Sequence, residues 1–123
     1  MNKITGTIVN GIGKGAWFVP QYKEKIRSVL GFTPFPGTLN ILLDKKNYIA
    51  YKKNKQNQKM ITAEKTLGAI SLMPIIIEHI TKSAIVIPEK TTHPEEIIEI
   101  IADKNIKDHL HKKEKDEFTF MLP

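Results

Sequence analysis

Leu30-Gly31-Phe32-Thr33-Pro34-Phe35-Pro36-Gly37-Thr38-Leu39-Asn40 divides a helical part of the chain from a stranded one. Pro34 and Pro36 fix their own φ and push the residues before them out of the helical region, so this stretch must be extended or turned. Gly31 is placed to end a helix arriving from the N-terminal side. Thr38 to Leu43 then reads as a strand. In an extended segment Thr38 and Asn40 point to the same face, because side chains alternate with period two.

Towards the N-terminus, Tyr22, Ile26, Val29 and Leu30 make one apolar face and predict a short helix over 22–30. Ala16-Trp17-Phe18-Val19 reads as a strand stopped by Pro20. Lys3-Ile4-Thr5-Gly6-Thr7-Ile8-Val9 is rich in β-branched residues and reads as another. Between them lies Gly11-Ile12-Gly13-Lys14-Gly15, whose glycines permit positive φ and close backbone approach and so predict a tight loop.

Towards the C-terminus, residues 45–59 carry six lysines among Asn, Gln and Tyr, and read as a solvated excursion or a hairpin with a polar tip. Residues 66–73, 74–77 and 83–87 read as further strands. Residues 88–94 form a loop. Glu95 to Ala102, with Ile97, Ile98, Ile100 and Ile101, reads as a second helix; Thr92 and Glu95 have capping-box spacing and Pro94 suits a first turn. Residues 107–117 are charged and polar, and 118–122 read as a last strand. Many short strands with two short helices and no regular βα alternation predict a mainly β protein, a small barrel with helical decorations.

The length of 123 residues suits one domain, 1–123, with one core. The hydrophobic fraction of 41% is that of a folded chain. No apolar run approaches the ~20 residues that cross a bilayer, and the N-terminus carries no signal-like hydrophobic stretch, so the expected location is cytoplasmic. With no cysteine, disulfides and thiolate metal sites are excluded. The net charge of +6 favours anionic partners, nucleotide or nucleic acid alike.

Three constellations bear on chemistry. Gly11-Ile12-Gly13-Lys14-Gly15 is either a hairpin turn or a cradle whose backbone N–H groups converge on phosphate; it is neither a Walker loop nor the dinucleotide fingerprint. Thr38 and Asn40 either satisfy the adjacent turn or offer two neutral oxygens to Mg²⁺, with triphosphate oxygens supplying the missing negative charge. Thr91 and Glu99 either cap and solvate the second helix or face a pocket at its N-terminus. His109 and His111 have no third metal ligand nearby in sequence. The lysines of 45–59 with Tyr48 and Tyr51 suit either a solvated surface or an RNA-binding one.

In their order these segments resemble the archaeal CTP-dependent riboflavin kinases: the glycine segment, Trp17-Phe18, Pro20, Tyr22, Leu30 to Asn40, Ala84-Ile85-Val86-Ile87-Pro88, Lys90-Thr91, His93, and Glu96 to Ala102. The most specific portions are L-G-F-x-P-x-x-G-T-L-N and T-x-H-x-x-E-I-I-E-I-I-A. The resemblance implies a six-stranded cradle-loop barrel and transfer of the γ-phosphoryl group of CTP to riboflavin, giving FMN and CDP. It implies nucleotide binding by Gly11, Ile12, Gly13, Lys14, Gly15, Ala16 and Trp17, and by Lys104, Asn105, Ile106 and Lys107. It further implies Mg²⁺ binding by Thr38 and Asn40, and flavin contacts from Thr91 and Glu99. Glu99 is the candidate for orienting the substrate hydroxyl. The partners expected are riboflavin and CTP, without nucleic acid or membrane, on a monomer. Two rivals remain, a basic nucleic-acid-binding module and a flavin-binding protein without catalysis. The 113–117 segment departs from the family's more regular turn.

Overall fold

The structure is a computed structural model that describes residues 2–11, 14–63, 67–89 and 94–123, the side chain of Lys14 excepted. In chain order the elements are β1 (Asn2–Val9), α1 (Lys14–Leu30), β2 (Leu39–Leu42), α2 (Lys45–Lys53), β3 (Lys59–Ile61), β4 (Ile70–Pro74), β5 (Ser83–Pro88), β6 (Ile97–Ala102), α3 (Ile106–Leu110) and β7 (Glu117–Leu122). The seven strands form one antiparallel sheet in the order β3-β4-β5-β6-β2-β1-β7. Just beyond β4, Ile76 exchanges two backbone hydrogen bonds with Met121 of β7, at 3.0 and 2.8 Å. A flat sheet could not bring those positions together, so the sheet curls and the fold is β-barrel-like.

The two faces of the curled sheet bury different sets of side chains. Ile4, Ile8, Ile41, Ile85, Ile98, Ile100, Phe118 and Phe120 fill the inside. On the outside, Val19, Tyr22 and Ile26 of α1 pack over Ile70, Leu72, Ala84, Val86 and Ile101. Neighbouring residues of β5 and β6 thus serve opposite faces, as the pleat requires.

This two-sided burial explains the main departure from the sequence reading. Residues 95–102, expected as a helix, contain strand β6. A strand buried on both faces loses the polar alternation that would betray it, and its apolar run mimics a helical face. The β-branched isoleucines favour the strand. Glu95 and Glu96 form the turn before it, where the Ile97 N–H donates to Pro94 O at 3.0 Å. Thr92 of the expected capping box lies outside the described residues.

Three further elements differ from expectation. The predicted strand at 16–19 is the first part of α1, which runs through Pro20. An interior proline costs roughly 3 kcal/mol in an isolated helix, but the face formed by Val19, Tyr22 and Ile26 is buried and the Phe18 and Tyr22 rings meet at 4.8 Å. Gly31, at φ 81°, ends the helix as predicted. The lysine-rich excursion contains α2 and edge strand β3. Asp44 caps α2 by accepting from the Asn47 N–H at 2.8 Å, and Tyr51 is buried. The polar segment after β6 contains α3, capped by Asn105. There are therefore seven strands rather than six, and three helices rather than two, among the described residues.

Two measurements test this packing. Ile100→Ala, at a fully buried inner position, should lower unfolding free energy by about 2–5 kcal/mol in urea titrations, whereas Ile49→Ala, 46% exposed, should change it by about 0.5 kcal/mol or less. The Asp44 carboxyl is held below its ordinary value of 3.8, first by the backbone N–H of Asn47 and then by its side-chain amide. A depressed carboxyl stabilises above its unfolded pKa and stops doing so as pH falls through the folded one. The Tm gap between the wild type and Asp44→Ala should be full at pH 7 and shrink as pH drops below 3.8; a gap independent of pH would contradict the charged cap.

Candidate functional site

The site is built around β2. Strand register sets Asn40 opposite Val9 of β1 on one side and opposite Glu99 of β6 on the other. One pleat away, the Thr38 hydroxyl donates to Glu99 Oε1 at 3.0 Å. Thr38, Asn40 and Glu99 thus share one surface of the sheet. Glu99 arrives there from a strand rather than from the first turn of a helix, which removes the helix-terminus pocket expected for it.

The glycine segment adjoins this group directly. A Cβ added to Gly11 would lie 2.4 Å from Asn40 Nδ2, and one added to Gly15 would lie 2.5 Å from Thr38 Oγ1 and 2.7 Å from Thr38 N. Real side chains do not tolerate such separations, so glycine is what permits the backbone of 11 and 15 to approach both polar donors. Gly15 lies in the first turn of α1, where free N–H groups and the helix dipole favour anions. Ala16 and Trp17, expected to continue a nucleotide-binding loop, are exposed residues of α1, Trp17 at 66%. Ile12, Gly13 and Thr91 lie outside the described residues, as does the Lys14 side chain.

Two cavities flank the group. The first, about 160 Å³, is lined by Phe35 to Leu39, Ile100 and Ala102, and by Lys104, Asn105, Ile106 and Lys107. It therefore joins Thr38 to the whole second stretch singled out in the sequence. The second, about 210 Å³, lies between α2 and strands β5 and β6; Glu99, Glu95, Tyr48, Tyr51, Lys52 and Lys55 contribute its polar atoms and Ile85, Ile87 and Ile98 its apolar floor. Thr38 lines one cavity and Glu99 the other, so their hydrogen bond bridges the two.

The α2 residues of the second cavity were read in the sequence as a solvated or RNA-binding surface, not as part of this site. Their signal was present: Asp44 followed by Asn47, then Tyr48 and Tyr51 one turn apart, reads as a capped helix with an aromatic face. Tyr48 donates to Glu95 Oε2 at 2.8 Å, which raises its pKa above the ordinary tyrosine value. Burial raises Tyr51 further. The Lys55 ammonium, 5.1 Å from the Tyr51 ring centroid, is lowered chiefly by burial and then by Lys52, against the opposing pull of Glu95.

Among the described residues no cluster of three or more His, Cys, Asp or Glu could hold a metal. Thr38 and Asn40 nevertheless offer hard oxygen atoms beside the Glu99 carboxylate, a donor set that suits Mg²⁺ when phosphate oxygens complete the shell. His109 does not join His111 in a pair; its Nε2 lies 2.9 Å from the His79 carbonyl. No helix among the described residues is long and apolar enough to cross a membrane.

The family designated CTP-dep_RFKase, described as a domain of unknown function, DUF120, matches residues 8–121. The riboflavin kinase of Saccharolobus solfataricus is 38% identical over 131 residues, covering 95% of this chain and 71% of the relative. That of Thermococcus kodakarensis is 39% identical over 117 residues, covering 92% and 55%, and that of Methanoculleus marisnigri is 36% identical over 121 residues, covering 92% and 54%. The chain therefore spans little more than half the length of the latter two relatives. The match takes in both glycines, the Thr38–Asn40 strand, Glu99 and the 104–107 stretch, and the chain belongs to the CTP-dependent riboflavin kinase family.

Proposed function

We propose that residues 1–123 form one phosphotransferase domain that moves the γ-phosphoryl group of CTP to the 5′-hydroxyl of riboflavin, giving FMN and CDP. The observation that carries this reading is the 3.0 Å hydrogen bond between Thr38 and Glu99, which joins two cavities of different chemistry. Each substrate takes one side of that bond, and the reacting atoms meet at it.

The nucleotide takes the cavity beside Lys104 to Lys107, with its phosphates against the backbone at Gly11 and Gly15 and the first turn of α1. Lys104 and Lys107 add positive charge. Riboflavin takes the cavity beside α2, where the isoleucine floor and Tyr48 suit a flat aromatic ring with polar edges. Glu99 accepts from Thr38 and orients the 5′-hydroxyl. The new O5′–Pγ bond forms as the bond from Pγ to the bridging oxygen of CDP breaks, and the 5′-hydroxyl proton is released to water. Positioning supplies most of the rate in such transfers. Thr38 and Asn40 would hold Mg²⁺, which when bound offsets the charge of the phosphate oxygens.

In this reading the curled seven-stranded sheet is of the cradle-loop type, with the Ile76–Met121 bridge drawing its two ends towards each other. The inner cluster buries its own apolar surface, which supports a monomer. Thr91 joins Glu99 as a flavin contact on the strength of the family resemblance.

The direct test supplies riboflavin and Mg²⁺ with each of CTP, ATP, GTP and UTP and measures FMN by chromatography. FMN forms with CTP; no FMN with any nucleotide would contradict the reading. Asn40→Ala should lower kcat roughly 10²–10³-fold with an unchanged circular dichroism spectrum, and wild-type turnover would remove Asn40 from the site. In Gly15→Ala the new methyl would crowd Thr38, so the KM for CTP should rise while the KM for riboflavin stays near its wild-type value. An unchanged KM for CTP would remove the glycine from the phosphate site.

A further inference from the structure

The cavity between α2 and strands β5 and β6 has two polar groups that the protein itself leaves without partners. Tyr51 lines this cavity and is only 3% exposed. Among the described residues its hydroxyl has no hydrogen-bond partner. It is not sealed in, because the one wholly occluded and unpartnered side-chain oxygen among the described residues is Asp103 Oδ1. The Tyr51 hydroxyl therefore opens on the cavity. Lys55, half-buried in the same wall, holds its ammonium 5.1 Å from the centroid of the Tyr51 ring and makes no ion pair or hydrogen bond among the described residues. The neighbouring groups of α2 are taken: Tyr48 donates to Glu95, and Lys52 is exposed over the Tyr48 ring. A buried hydroxyl and a half-buried cation without partners cost free energy in the protein alone, and a ligand that supplies the partners recovers it. Burial lowers the Lys55 pKa, Lys52 adds to this and Glu95 opposes it. Glu95 precedes β6 whereas Glu99 lies within it, so the pair stands towards the end of the cavity remote from the Thr38–Glu99 bond.

We propose that Tyr51 and Lys55 read the polar edge of the flavin ring and so set which way round it enters. With the ribityl chain running to Glu99, the ring lies over Ile85, Ile87 and Ile98 and its far edge meets the pair. Isoalloxazine has one edge that bears two methyl groups and another on which an N–H stands between two carbonyl oxygens. An ammonium can only donate, and a tyrosine hydroxyl can donate or accept. Lys55 pairs with a ring carbonyl, and Tyr51 with the neighbouring N–H or the other carbonyl. The methyl edge offers neither group a partner. This inference rests on the reading of the cavity as the riboflavin site and names the residues that select the ring.

The test uses lumiflavin, which carries the same ring with a methyl group in place of the ribityl chain and so reports on the ring alone. Flavin fluorescence follows its binding, and that of riboflavin, to the wild type, Tyr51→Phe, Lys55→Met and Lys53→Met. Tyr51→Phe keeps the buried ring and removes the unpartnered hydroxyl, so its thermal melt without flavin should equal or exceed that of the wild type. Its Kd for both flavins should rise about 3–10-fold, and that of Lys55→Met about tenfold or more. Lys53→Met, exposed and outside the cavity wall, should bind as the wild type does. The KM for riboflavin should rise with Kd, while kcat and the KM for CTP stay near their wild-type values. Wild-type lumiflavin affinity in either folded variant, weakening confined to riboflavin, a wild type that binds riboflavin but not lumiflavin, or a lower melt for Tyr51→Phe would overturn the inference and leave the kinase reading standing. A wild type that binds no riboflavin and forms no FMN would overturn that reading, and the inference with it.

Discussion

Asn40 is paired with Val9 on one edge of β2 and with Glu99 on the other, and this register holds the site together. Strand side chains alternate, so a slip of one residue would turn Asn40 and Glu99 into the core and expose Ile41, Ile98 and Ile100. Each of those isoleucines contributes roughly 1.5–3 kcal/mol by being buried. The core therefore fixes the register, and the register delivers an amide, a hydroxyl and a carboxylate to one surface. A four-residue strand is enough because both of its edges are occupied.

The glycine segment is tied to the same frame from the other direction. Ile8 and the turn at 115–116 exchange backbone hydrogen bonds of 2.9 and 2.8 Å, and Asn10 donates to Glu114 Oε2 at 2.8 Å. The charged 113–117 segment thus hooks onto the end of β1 as it leads into Gly11. Lys115 adopts a φ of 78° there, the left-handed conformation that glycine more often supplies.

Legibility from sequence followed local constraint. Proline and glycine at 31–37, the β-branched run at 3–9 and the Thr38–Asn40 alternation depend on backbone sterics and period two, and each was read correctly. The segments misread were those decided by tertiary burial. Ile97 to Ala102 looks helical because both of its faces are covered, and Pro20 looked like a stop because the sheet beneath α1 is invisible in the sequence. The lysines around Tyr48 and Tyr51 concealed a helix whose Tyr51 is buried while Lys52 and Lys55 lie over the two rings. Within the site, Thr38, Asn40 and Glu99 were identified by type and resemblance. Their contact was not, because it requires the pairing of β2 with β6, strands separated by more than fifty residues.

The central claim is that the glycine backbone, Asn40 and Glu99 surround one metal-bound nucleotide. Its most direct test is paramagnetic broadening in ¹⁵N-labelled protein titrated with Mn²⁺ in the presence of CDP. The account predicts early loss of the Gly11 and Gly15 amide signals and of the Asn40 side-chain amide, with β3 resonances unaffected and little broadening by Mn²⁺ without nucleotide. Broadening that spares these groups and centres on the His79–His109 surface, or that is the same with and without CDP, would contradict it.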